Sequence, residues 1–185
     1  MISAQLLLLI STFASTITSQ CFQLKGTQAC VGFEDSYVAI SSEFTNVTSF
    51  DAYVSRKNDT NPQYIAQFQN AFACPRYTGY GQRHHQATFC ALLVEGSVSK
   101  CNQPVPTSLC VDTCKQAVIG LLNVFNSQAT CFRTDNNPRY AAHESMRRQT
   151  MTAYDGLCKT LQSKSTAGGK CIDGSAMQGG NKCGM

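Results

Sequence analysis

The chain has 185 residues and carries 15 Lys+Arg against 11 Asp+Glu, a net charge of +4, with no Trp. So weak and scattered a positive balance is no nucleic-acid footprint, and nucleic acid is excluded as a partner. Eleven cysteines, all at or after Cys21, instead predict a secreted domain stapled by disulfides because its core alone does not offset chain entropy.

Residues 1–19 contain no Lys, Arg, Asp or Glu, and Leu6 to Ile10 form a short apolar run. A spanning helix needs about 20 apolar residues, so this run reads as a secretory signal, cut between Ser19 and Gln20. No later stretch is long or apolar enough to span a bilayer, and the C-terminal residues lack the apolar tail of a lipid-anchor signal. The single domain is expected over residues 20–163. A Gly/Ser/Lys-rich tail, 164–185, follows it.

Asn46-Val47-Thr48 and Asn58-Asp59-Thr60 are two sequons in a polar stretch, which makes Asn46 and Asn58 glycosylation candidates behind a signal peptide. Residues 34–60 carry no firm element assignment. Asn61-Pro62 is a helix start, an N-cap with proline at the first helical position. Ile65, Phe68 and Phe72 then recur at helical steps and end near Cys74. Cys74 to His85 has loop composition. Phe89 to Val94 fits a strand or a buried turn of helix. The clearest helix runs from about Ser108 to Asn126, with Cys110, Cys114, Val118, Leu121 and Phe125 along one face. A further helix over about Glu144 to Leu161 places Met151, Tyr154, Cys158 and Leu161 on a common face. Cys171 and Cys183 are close enough in sequence for a local bridge in the tail.

Few residues suggest chemistry. His84-His85 are adjacent, so on a loop or strand their rings point apart, and no carboxylate sits near them in sequence. A surface loop is expected there. His143-Glu144 reads as the polar start of the last helix. No nucleophile elbow frames a serine, and Cys110-Val-Asp-Thr-Cys114 is one residue too long for a redox dithiol. Tetracysteine zinc spacing is missing. No catalytic residue, metal or cofactor is therefore assigned.

The stretch FCALLVEGSVSKC, followed by PVPTSLCVDTC and an amphipathic helix, resembles the cysteine-rich domain of Frizzled receptors and secreted Frizzled-related proteins. The resemblance covers residues 21–158, and its specific part is Phe89 to Phe125. Longer gaps from Cys74 to Cys90 and from Cys90 to Cys101 mark a divergent member, of fungal or other non-animal kind. The resemblance implies a mainly α fold, a small disulfide-rich helical domain with at most a short β pair.

In that family ten cysteines bridge first to fifth, second to fourth, third to eighth, sixth to tenth and seventh to ninth. Laid on this chain with Leu121 in the eighth place, the pattern implies Cys21–Cys101, Cys30–Cys90, Cys110–Cys158 and Cys114–Cys131. Cys74 is then left as a buried free thiol in a monomer, and Cys171–Cys183 closes the tail. The family also implies a groove for a lipid chain, here formed by Ile65, Phe68, Phe72, Leu122 and Phe125, although core packing is the ordinary role of such a stripe. The expected function is a secreted extracellular module that binds a hydrophobic or lipid-modified ligand or a partner protein, and not an enzyme. Two alternatives stay open. One is an accessory subunit or effector docking on a membrane protein without a small ligand, as calcium-channel regulators do. The other is a secreted hydrolase without a recognisable motif.

Overall fold

The structure, a computed structural model, describes residues 20–133, 137–165, 171–174 and 177. The signal-peptide reading and Cys183 fall outside these residues. The fold is mainly helical. In chain order it runs β1 (Cys21–Gln23), β2 (Tyr37–Ala39), α1 (Val47–Arg56), α2 (Pro62–Phe72), α3 (His85–Glu95), α4 (Val98–Cys101), β3 (Ser108–Leu109), α5 (Val111–Asn126), a 3-10 turn (Pro138–Tyr140), α6 (Ala141–Ser165) and β4 (Cys171–Ile172). β1 and β2 pair antiparallel, with Phe22 opposite Val38. A second pair, β3 with β4, is parallel and joins the tail to the start of α5.

Local chemistry explains the helix ends. Asn46 and Ser49 form a reciprocal capping box at α1, and Phe50 and Val54, one turn apart, are its buried face. Asn61 caps α2 by accepting from the Gln63 N–H, with Pro62 in the first helical position. α2 stops at Ala73, which takes a left-handed conformation at φ 51°. The orphan carbonyls of that end find side-chain donors on α6: His143 Nδ1 lies 3.0 Å from Ala71 O, and Arg147 Nε donates to Phe72 O at 3.0 Å.

Two apolar clusters make the core. The first gathers Phe22, Leu24, Phe33, Val38, Phe44, Phe50 and Val54 around α3, with Leu157, Leu161 and Met177 closing it. Its Phe44 and Phe50 rings meet edge to face at 5.2 Å. The second gathers Phe68, Tyr77, Ala117, Leu121, Val124, Phe125 and Tyr154 between α2, α5 and α6. Buried residues surround α3 on nearly every side: Ala87, Thr88, Cys90, Ala91 and Val94. That is why its sequence shows no amphipathic period and reads equally as strand or helix.

Five bridges brace this core. Cys21–Cys101 and Cys30–Cys90 join the residues expected of them. The other three correct the expectation: they are Cys74–Cys131, Cys110–Cys171 and Cys114–Cys158. Cys114–Cys131 fails on length. Cys114 lies in the first turn of α5 and Cys131 beyond its last, and at 1.5 Å per residue the helix alone separates them by about 18 Å. A disulfide needs Cα atoms within about 7 Å. Cys131 instead meets Cys74, where the Phe132 N–H donates to Ala73 O at 2.9 Å. Cys74 is thus not a free thiol.

Cys110–Cys158 fails because Cys114, not Cys110, turns toward α6. Cys110 sits at the N-cap of α5, where its N–H donates to Ile172 O at 2.8 Å and draws Cys171 alongside. That contact also overturns the tail bridge Cys171–Cys183. In chain order, Cys21–Cys101 encloses Cys30–Cys90, Cys110–Cys171 encloses Cys114–Cys158, and Cys74–Cys131 links the two nested sets.

Candidate functional site

A cleft of ≈ 670 Å³ opens between the C-terminal half of α5, the 127–133 segment and the N-terminal half of α6. Its apolar part is Leu122, Phe125 and Met151; Arg133, Glu144, Arg148, Thr152 and Asp155 supply polar lining. α5 presents Leu122 here, 43% exposed, because its opposite face is committed to the second core cluster through Ala117, Leu121, Val124 and Phe125. α6 runs beside α5, held through Cys114–Cys158.

Arg147 builds the deep end. It is only 7% exposed, and its guanidinium lies 5.3 Å from the Phe125 ring centroid. Nη2 donates to Phe72 O at 2.5 Å and to Phe132 O at 3.0 Å. A buried cation is tolerated where such acceptors surround it. One side chain thereby ties α6 to the end of α2 and to the segment after Cys131. On the rim, Arg148 Nε donates to Glu144 Oε1 at 2.9 Å. That pair is partly exposed and contributes about 0.3–0.5 kcal/mol at most.

The five expected groove residues divide. Ile65, Phe68, Phe72 and Phe125 come together at the second core cluster. Phe125 and Phe68 are buried in it, Phe68 2% exposed, stacked 5.8 Å from Phe125 and 4.1 Å from Tyr77, while Ile65 and Phe72 pack half-buried against it. Leu122 stands apart from that cluster and lines the cleft, which Phe125 reaches from the core side. The stripe on α2 therefore packs inward, while the open apolar surface lies on α5. Sequence reading missed Arg147. Its signal was present, because Arg147, Met151, Tyr154, Cys158 and Leu161 fall at steps of four, three, four and three, placing a cation on the apolar face of α6.

Outside the cleft, the histidine pair departs from a surface loop. His85 is the first residue of α3 and is buried, with Nε2 2.8 Å from Lys57 O and its ring 4.9 Å from that of Tyr64. Burial holds its pKa below the ordinary histidine value. Gln82 links the buried hydroxyls of Tyr77 and Tyr64 at 2.7 and 3.3 Å. Burial pushes both tyrosines up, and Tyr154 up to about 12, so all three stay protonated at neutral pH. Among the described residues no group of three or more His, Cys, Asp or Glu is arranged to hold a metal ion. No helix among them is long and apolar enough to cross a membrane.

No protein-family model, curated protein or solved structure matches the chain.

Proposed function

We propose that the chain is an extracellular binding module of Frizzled type, without catalytic activity, that takes a hydrophobic ligand in the cleft between α5 and α6. The cleft carries this reading: its ≈ 670 Å³ falls within the about 300–1,000 Å³ usual for small-molecule sites. Leu122, Phe125 and Met151 offer an acyl chain or similar apolar group a wall to bury against, and the Arg148–Glu144 rim offers polar contacts at its mouth. The order of the cysteines supports the family resemblance. Counted along the chain, the ten paired cysteines join first to fifth, second to fourth, third to eighth, sixth to tenth and seventh to ninth. With Cys131 rather than Leu121 in the eighth place, every bridge follows the family order.

The test is titration of the secreted full-length protein with a long-chain fatty acid carrying a dansyl group. Saturable binding is expected. Leu122→Glu and Met151→Glu each weaken it at least tenfold, a loss of about 1.4 kcal/mol. Absence of saturable binding, or equal binding by both variants, overturns the reading. Ile119, 56% exposed on the same helix as Leu122, favours docking of a partner protein as the second reading. A protein that co-purifies through Ile119 while fatty acid fails to bind would replace the first reading with it.

A further inference from the structure

The two sequons look alike in sequence, yet the fold treats them differently. Asn46 is exposed at the start of α1. Its Oδ1 accepts from the Ser49 N–H at 2.9 Å and from Ser49 Oγ at 3.1 Å, while its Nδ2 makes no hydrogen bond to any described residue. Thr48, which completes the sequon, is exposed as well, and the buried face of α1 is the one with Phe50 and Val54. Capping thus uses the oxygen of the Asn46 amide and leaves the nitrogen facing solvent.

Asn58 has no such freedom. It is half-buried in the turn between α1 and α2, and its Nδ2 donates to Gln86 Oε1 at 2.9 Å. Gln86 in turn donates through Nε2 to Ala29 O at 2.6 Å. Asn58 Oδ1 accepts from both the N–H and the hydroxyl of Thr60, at 3.0 and 2.9 Å. Beside it, Lys57 O faces His85 Nε2. Both ends of the Asn58 amide are thus engaged, the oxygen within the turn and the nitrogen in a suture that fastens the α1–α2 turn to the first turn of α3.

We infer that the folded protein carries an N-linked glycan on Asn46 and none on Asn58. The inference rests on the extracellular reading, because the donor, an oligosaccharide linked to a lipid diphosphate, belongs to the secretory route. Asn46 Nδ2 forms a bond to the anomeric carbon of the donor sugar. The bond from that carbon to the diphosphate oxygen breaks, the lipid diphosphate leaves with the electron pair, and the proton lost from Nδ2 passes to a base of the transferase. The product amide keeps Oδ1, so the cap on Ser49 survives modification. At Asn58 the sugar would replace one of the two Nδ2 hydrogens of a half-buried side chain, on a nitrogen 2.9 Å from Gln86 Oε1. Its bulk would wedge α3 away from the turn it holds, so chains modified there do not reach the same fold.

The experiment secretes the full-length chain from a eukaryotic host. A glycan-releasing amidase then acts in heavy-oxygen water, which marks each formerly modified Asn as labelled Asp. One glycan, at Asn46, is expected. Asn46→Asp and Thr48→Ala each abolish it, and Asn46→Asp keeps the melting temperature of the unglycosylated Thr48→Ala chain, whose cap is still Asn46, because Asp caps α1 in the same way. Asn58→Asp leaves the glycan count unchanged. A label at Asn58 in folded, secreted protein overturns the inference and leaves the extracellular reading standing, as does secreted protein with no label at either site. Retention of unprocessed chain in the cytosol overturns both.

Discussion

His85 shows how much one side chain can hold. Its ring lies between Tyr64 and Phe89, at 4.9 and 6.3 Å, and its Nε2–H donates to Lys57 O. Nδ1 is then the lone-pair nitrogen, buried with no hydrogen-bond partner among the described residues. A proton there would place an unpaired cation in an apolar setting, which is why burial lowers the pKa. The unfolded chain takes up that proton near pH 6.5 and the folded one only below it. His85 therefore contributes its full stability above about pH 6.5, and the contribution is lost as pH falls from there toward the folded value. Melting temperatures between about pH 7.5 and 5.5 should fall in the native protein and change less in His85→Phe; parallel curves would refute the assignment. Asp59, whose carboxyl burial raises, titrates with the opposite sign, and its contribution is common to the native protein and to His85→Phe, so the difference between the two curves isolates His85. None of this was legible beforehand: adjacent histidines after a Gly-rich stretch read as loop, and only the fold brings Lys57 and Tyr64 to one of them.

At the scale of elements, the backbone contact between the 79–83 loop and α5 sets a test with a sign. Replacing glycine by alanine inside a helix ordinarily stabilises by about 1 kcal/mol. Gly120 of α5 should do the reverse. A Cβ there would lie 2.9 Å from Arg83 N and 3.1 Å from Gly81 O, and both are backbone atoms that move only with the loop. Gly120→Ala is expected to destabilise by about 1–3 kcal/mol, as overpacking does. Gly156 of α6 has nothing within 4 Å of the same position, so Gly156→Ala should stabilise by about 0.5–1 kcal/mol. Denaturant titration of both variants with disulfides intact decides it; a gain at Gly120 would mean the loop does not cross there. Helices with one apolar face and a chemical start were readable. Asn61-Pro62 marks α2, and the Cys114–Leu121–Phe125 face marks α5. α3 was not, because burial on every side erases the period, nor was α1, whose Asn46–Ser49 box lies in a polar stretch. For the cleft, sequence supplied Leu122 and Phe125 but gave the leading place to an α2 stripe that packs into and against the second core cluster.

For the whole molecule, bridge order matters more than bridge number. Within the described residues two nested sets, one ending at Cys101 and one beginning at Cys110, are linked by Cys74–Cys131 alone. Asn102 to Pro104 are exposed between the sets, the kind of site where a protease nicks first. A single cut there should leave one band on a non-reducing gel. The same cut in Cys74→Ala/Cys131→Ala should release two, each still internally closed; one band from that variant would show another link. The nesting also orders synthesis in time. As the chain emerges from its N-terminus, Cys21–Cys101 and Cys30–Cys90 can both close before Cys110 has been made. Cys74 must wait, as a thiol, until Cys131 arrives. A chain that closes each bridge as soon as both partners are made passes through a stage with its first half locked and the Cys74 sulfur open, exposed to mispairing until Cys131 appears.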